Sequence, residues 1–323
     1  MLEADIAARA AKSKARIVQY IKNVQDDNGF WPYKRNQGPS AEATSWCAMA
    51  LAADREAIRK ATTFLIKSQE KNGGWSTAPD TGFSDWASGP TLLCLRYLNK
   101  ISPEARQVKG IVGTLEKGLL HLIDSRVEFF PVVARLLMLM GGGEKNLYYA
   151  RGWPWDPDCY HWVEPTSYYL MALKIPGMPR PDLYIKIVEF ANQFLLENAC
   201  VGGGWNHGNH ISLGAKLPPY RMTTAEALLA LQDIPKSKQV KAGLDILASY
   251  SNQDSSALSL SLSILALRAY EKKNDSELAF LLSRQRSDGS FSDNNMVNGL
   301  ACLALSAENS MRAVLSDSPG NKP

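Results

Sequence analysis

The sequence is short of several things. Nowhere in its 323 residues is there a run of about 18 apolar residues, which excludes a membrane-spanning helix. Neither sign of charge dominates: 36 Lys and Arg face 32 Asp and Glu, for a formal charge of +4. No basic block is dense enough to follow a nucleic acid, so no nucleic-acid partner is expected. The five cysteines (Cys47, Cys94, Cys159, Cys200, Cys302) are scattered, with no pair at metal-ligand spacing. Three of them lie in apolar helical runs, where a free Cys packs as a small hydrophobe. This usage fits a reducing compartment, the cytoplasm. The first residues, Met1-Leu-Glu-Ala-Asp-Ile, are acidic and helical, and do not have the basic-then-apolar pattern of a signal peptide. An apolar fraction of 45% with 21% charged is that of a soluble globular protein, and the length allows one large domain or two ordinary ones.

What the chain has is repetition. A turn rich in Gly and Trp, followed by an apolar helix, recurs along it. The spacing predicts helices over 2–24, 40–51, 55–68, 86–98, 103–123, 165–173, 183–198, 223–231, 240–250, 256–267, 277–284 and 295–305. A further helix over 129–140 is inserted in the third unit. One helix of each pair is amphipathic, and the other is apolar nearly all round, as a helix covered on most sides must be. Aligned on the helix starts, Thr44, Thr91, Thr166 and Thr224 coincide, as do Pro90 with Pro165 and Glu42 with Glu164. Six helix pairs of this period make a repeat architecture in which each unit buries its apolar face on the next. They can close into a double ring with the apolar helices inside; an open solenoid has the same periodicity.

The richest copy runs from Arg151 to Leu173. Its loop holds Trp153, Trp155, Tyr160 and Trp162 together with Asp156 and Asp158, and Tyr168 and Tyr169 follow in the helix. Pro165 suits the first helical position, which makes Glu164 the helix N-cap. In a ring these aromatics can line a cavity and hold a cation on their π faces, or simply pack a long loop. Trp31, Trp75 and Trp205 read as fasteners stacked on helix ends. His207, in the loop that leads to Tyr220, reads as a loop hydrogen-bonding residue in preference to a ligand, and His121 as structural. Gly29, Gly73, Gly204 and Gly289 are expected in tight turns with positive φ at the ends of outer helices.

Gln25-Asp-Asp-Asn-Gly-Phe-Trp31 and Gln69-Glu-Lys-Asn-Gly-Gly-Trp75 resemble the QW motif of squalene–hopene cyclases and other class II terpenoid cyclases. Gln285 to Phe291 is the same pattern with Phe for Trp. Similar repeats occur in the β subunits of protein prenyltransferases. The resemblance covers nearly the whole chain. It implies an all-α fold, an (α/α)6 toroid over 1–306, with a short helix and flexible tail over 307–323. Class II cyclases carry an Asp-x-Asp-Asp-Thr motif whose middle Asp donates the proton. Trp162-Val-Glu-Pro-Thr166 matches it in register and puts Glu164 at the donor position, with Trp162 and Pro165 replacing the flanking acids. The second helical domain of the bacterial cyclases has no room in this length.

The resemblance thus implies an isoprenoid or other lipid ligand. Glu164 would be its proton donor, Asp156 and Asp158 would assist, and Trp153, Trp155, Tyr160, Trp162, Tyr168, Tyr169, Glu42, His207 and Tyr220 would line the site. The alternatives are a ring that binds a lipid without turning it over and a zinc prenyltransferase β-like subunit. A partner chain closing the cavity and a peripheral membrane contact stay open. The absence of a Gly-Cys-Gly-Glu-Gln run excludes the toroid of complement thioester domains.

No cofactor is expected. In Asp156-Pro-Asp-Cys-Tyr-His161 the Asp-x-Cys spacing of the prenyltransferase zinc site is broken, because Asp158 adjoins Cys159 and Asp156 stands three residues before it. Purified protein should therefore contain no stoichiometric zinc by atomic emission. One equivalent, lost in Cys159→Ala, would overturn this reading.

Overall fold

A computed structural model describes residues 2–77, 84–125, 152–156, 159, 161–176, 182–208, 211–212, 215–253 and 255–306. The expected inserted helix and the 307–323 tail lie outside the described residues. Among those described, six inner helices form one ring: α2 (Ala41–Ala50), α4 (Ser88–Ile101), α7 (Val163–Lys174), α9 (Arg221–Ala230), α11 (Ala257–Ala269) and α13 (Asn295–Ala304). Each packs on the next, and α13 packs on α2, so the ring is closed. Outside it stand α1 (Leu2–Asn23), α3 (Arg55–Lys67), α6 (Ile111–Asp124), α8 (Asp182–Glu197), α10 (Lys238–Ser249) and α12 (Asp275–Ser283). Of the outer helices, the last, α12, lies against the first, α1. The fold is an all-α double ring of six helix pairs.

The inner helices are buried on nearly every side, which explains their lack of an apolar stripe. Two departures from the sequence expectation have local causes. The helix expected over 103–123 is broken: a short α5 (Pro103–Arg106) stops before Gly110, whose φ of 97° opens α6. Two two-stranded ribbons also occur, β1 (Trp153–Pro154) with β2 (His161–Trp162) and β3 (Ile211–Ser212) with β4 (Ala215–Lys216). Both lie in the loops that lead to inner helices.

The recurring turn joins the rings. The indole Nε1 of Trp31 donates to the Ile21 carbonyl at the end of its own outer helix, and Trp75 and Trp205 do the same to Leu65 and Leu195. The Trp31 amide donates to Thr44 Oγ1 at the start of the inner helix, and Trp205 to Thr224 Oγ1. Trp153 belongs to this set: its amide donates to Thr166 Oγ1 and its indole to Leu122 O, and it is wholly buried. It is therefore a fastener between the rings and does not line their mouth. Thr44, Thr91, Thr166 and Thr224 are each fourth in their inner helix. In the second unit, however, the hydroxyl that takes the Trp75 amide is Ser88, one turn before Thr91.

The glutamine of each turn reaches sideways. Gln25 Nε2 donates to Gly29 O and to Ala57 O of α3; Gln69 donates to Gly73 O and Thr114 O of α6; Gln285 donates to Gly289 O and Ser13 O of α1. Gly29, Gly73, Gly204 and Gly289 all have positive φ, as expected. In the fourth unit it is Gly203 that meets the next outer helix, at Ala242. A Cβ on Gly29 would lie 2.4 Å from the Lys60 carbonyl oxygen, so strain and collision act together there. Gly29→Ala should cost at least about 2 kcal/mol of stability in urea melts, against under about 0.5 for Gly38→Ala. Around Gly38 nothing lies within 4 Å. Equal effects at the two sites would refute the packing argument.

Candidate functional site

The start of α7 differs from the sequence reading. Helix geometry begins at Val163, so Trp162 is the N-cap residue, and Glu164 and Pro165 fall inside the first turn. Pro165 still loses nothing, because the amides of a first turn have no partner within the helix. The Val163 amide donates instead to His207 O, from the loop before α9.

The N-terminal turns of the inner helices share one rim. Ser45 of α2 donates to Thr91 of α4, Tyr169 of α7 to the Asp85 carbonyl before α4, and Tyr168 of α7 to Glu226 of α9. Three glutamates gather there. Glu42 and Glu164 are second in their helices and Glu226 is sixth in its own. Positions four apart share a helix face, so Glu42 with Trp46, Glu164 with Tyr168, and Met222 with Glu226 form stacked pairs. The rings of Trp46 and Tyr168 meet edge-on at 5.5 Å, a contact that spans from α2 to α7 across α4. This stripe therefore faces the middle of the ring. Glu42 is buried, and its carboxylate takes the Tyr33 hydroxyl and the Trp86 indole. Trp86 stands edge-on to Trp155 at 5.1 Å. Glu164 is partly exposed, as are Met222, Leu258 and Met296, the second residues of α9, α11 and α13. One side of the mouth is thus acidic and the other apolar.

Burial dominates the electrostatics. It pushes Glu164 up to about 8, with the neighbouring Glu42 carboxylate adding to the rise. It raises Glu226 well above the usual carboxylate range, with Glu164 next in effect, and raises Glu42 despite the bonds from Tyr33 and Trp86. The opposite rim is basic. Arg96 donates to Leu173 O and Ile175 O at the end of α7, Lys174 to Ala230 O at the end of α9, and Arg268 to Ala304 O at the end of α13. Each cation meets the negative end of a helix.

The other sequence candidates are dispersed. Tyr169 is buried beneath the rim, its ring 5.2 Å from that of Trp153. Trp162, His207 and Tyr220 make an outer row, with ring separations of 5.7 and 5.2 Å, and His207 and Tyr220 are exposed. Asp156 is exposed, and among the described residues no hydrogen bond joins it to Glu164. Asp158 and Tyr160 lie outside the described residues. His121 is half-buried and hydrogen-bonds with Ser84. The described residues contain no group of three His, Cys, Asp or Glu side chains placed to hold a metal ion. No described helix is long and apolar enough to cross a membrane. Sequence reading missed Glu226, which sits two residues after the fastening Thr224 where Glu42 and Glu164 precede theirs by two; Met222-x3-Glu226 spacing was the available signal.

A closed double ring of six helix pairs is an α/α toroid. Among solved structures, the chain resembles type II terpene cyclase MstE from Scytonema bound to its product merosterolic acid A, at 12% identity over 95% of this chain and 97% of that one, with a TM-score of 0.58. It resembles the same cyclase bound to geranylgeranyl dihydroxybenzoate at 11% identity, with 97% and 99% coverage and a TM-score of 0.57. A wild-type glycosidase matches at 9% identity over 96% of this chain and 98% of that one, with a TM-score of 0.63. These likenesses establish the fold. No protein-family profile matches the sequence, and no curated protein matches it.

A carboxyl that stays neutral in the fold above the pH at which it ionises in the unfolded chain makes the native state bind the extra proton. Raising the pH then favours unfolding. Stability should fall between about pH 4.5 and 8, by up to about 1.4 kcal/mol per pH unit for each such group. Glu164→Gln should remove its share of that slope in denaturant melts. A wild-type stability that is flat or rises across this window would show the carboxyls to be ionised in the fold.

Proposed function

We propose that the ring is a Brønsted-acid cyclase or isomerase of an isoprenoid, with Glu164 as its proton donor. The observation that carries this reading is a single partly exposed carboxyl, pushed up to about 8, at a mouth that is aromatic on one side and apolar on the other. At neutral pH such a group still holds its proton. Delivered to an alkene carbon, that proton forms a C–H bond from the π electrons and leaves a carbocation on the neighbouring carbon. The rings of Trp86, Trp155 and Tyr33 gather about Glu42 on the acidic side, where π electrons would attract it. Met222, Leu258 and Met296 offer a hydrocarbon surface opposite. Loss of a proton from the final cation to the Glu164 carboxylate closes the cycle without net proton uptake. Glu164 is itself partly exposed, so solvent could reprotonate it without Asp156 as a relay. The fold shared with a cyclase solved with a geranylgeranyl substrate supports the substrate class.

The likeness to a glycosidase and the presence of more than one carboxyl favour a second reading, glycoside hydrolysis. That chemistry needs one carboxylate ionised as nucleophile or base beside a protonated acid. Here Glu164 and Glu226 are both pushed up by burial, and the Glu42 carboxylate is occupied by Tyr33 and Trp86, which speaks for the first reading. A lipid-binding ring without turnover, with or without a partner chain over its mouth, is the remaining alternative.

Turnover of polyprenyl substrates, followed by mass spectrometry, should fall at least about 100-fold in Glu164→Gln with folding intact. Full activity in that variant, or turnover of aryl glycosides only, would reject the proposal. The rate should decline as pH rises through about 8. In Glu42→Gln that decline should begin at lower pH, because the neighbouring carboxylate that raises Glu164 has been removed.

A further inference from the structure

We infer that the layer beneath Glu164 is a binding site for an oxygen acceptor on the ligand, held by the Glu226 carboxyl and the Trp46 indole. This rests on reading the ring as an isoprenoid site, and it narrows the ligand to an isoprenoid that carries a hydroxyl, ether or carbonyl oxygen on the part that enters.

Trp46, Tyr168 and Glu226 are each the sixth residue of an inner helix and form one layer, one turn below the mouth. Trp46 packs edge-on against Tyr168, whose hydroxyl donates to Glu226 Oε1 at 2.8 Å. Glu226 and Trp46 are both only 1% exposed. Yet Glu226 Oε2 and Trp46 Nε1 have no hydrogen-bond partner among the described residues. The indole N–H is a donor only. Burial and the nearby Glu164 and Glu42 keep Glu226 neutral, and no cation is among the groups that act on it. Since Oε1 already accepts from Tyr168, the proton belongs on Oε2, which makes it a second donor. Two buried donors in one layer, both unmet, are rare in a folded protein. An oxygen with two lone pairs satisfies both; a pure hydrocarbon satisfies neither. Four residues of helix separate this layer from Glu164, so the oxygen would sit about 6 Å beneath the double bond that is protonated.

The test is equilibrium partitioning of the full chain with geranylgeraniol and with the hydrocarbon of the same chain length lacking the hydroxyl. The alcohol should bind about tenfold tighter than the alkene, the gain of two net hydrogen bonds. Trp46→Phe and Glu226→Leu should each bring the ratio towards one. Glu226→Gln, which keeps an N–H donor in place, should largely preserve it. If Glu226→Leu does not fold, the more conservative Trp46→Phe carries the test alone. Equal binding of alcohol and alkene to the wild type would mean that a buried water serves the two donors, which overturns this inference and leaves the isoprenoid reading standing. Binding of neither overturns both.

Discussion

The double ring depends on one side chain doing two jobs. In four of the six units an indole N–H closes the end of an outer helix while the same residue's amide is held by a hydroxyl at the start of an inner helix. Each tryptophan is buried, so both polar groups must be satisfied internally, and only one relative placement of the two helices allows that. In the sixth unit Phe291 keeps the amide contact, now to Asn298, and the indole bond is absent because Phe has no N–H. Fixing the outer helix on the inner one fixes where the inner helix begins, and with it which residues meet at the rim.

The rim shows how two electrostatic effects of unequal size decide a protonation state. The positive end of a helix favours a carboxylate by about 0.3–1 kcal/mol, under one pKa unit. Burial opposes it by up to about 3–5 units. For Glu42, Glu164 and Glu226 the net direction is upward, so burial prevails. On the opposite rim, burial pulls Lys174 and Arg268 down in the same way, while Arg96, Lys174 and Arg268 all donate to carbonyls at helix ends. The inner ring therefore carries acids with raised proton affinity at one end and cations bound to helix-end carbonyls at the other.

The architecture was legible because Gly and Trp in a turn report a local geometry, and six helix pairs of one period report a global one. The positive φ of Gly29, Gly73 and Gly289 followed from the turn itself. Closure did not: periodicity says nothing about whether the last unit meets the first, and that meeting lies in the contacts of Gln285 and Arg16. The site was harder to read. Glu164 stood out through its neighbours, although its place inside the first turn of α7, and not at the N-cap, could not be read from Pro165 alone. Trp153 sat among aromatics that invite a common role, yet its separation of 13 residues from Thr166 matches that of Trp31 from Thr44, which marks it as a fastener. Glu226 was hidden because its partner, Tyr168, is 58 residues away in sequence. The spacing of Met222 and Glu226 could mark a shared face of α9, but not which residue of another helix that face would meet.

The seam where α12 meets α1 changes what kind of object the repeat array is. An open stack loses its terminal units first, since each has only one neighbour, and its unfolding spreads inward from the ends. Here Gln285 Nε2 is bound to Ser13 O, and Arg16 returns hydrogen bonds to Arg286 O and Ser287 O across some 270 positions of sequence. No unit is terminal in space, so there is no end from which to fray. Opening any one interface of the inner ring breaks packing of one inner helix on the next, and the ring gains its cooperativity from the last junction to form. That junction spans nearly the whole described chain, so the loop it closes is the longest in the molecule.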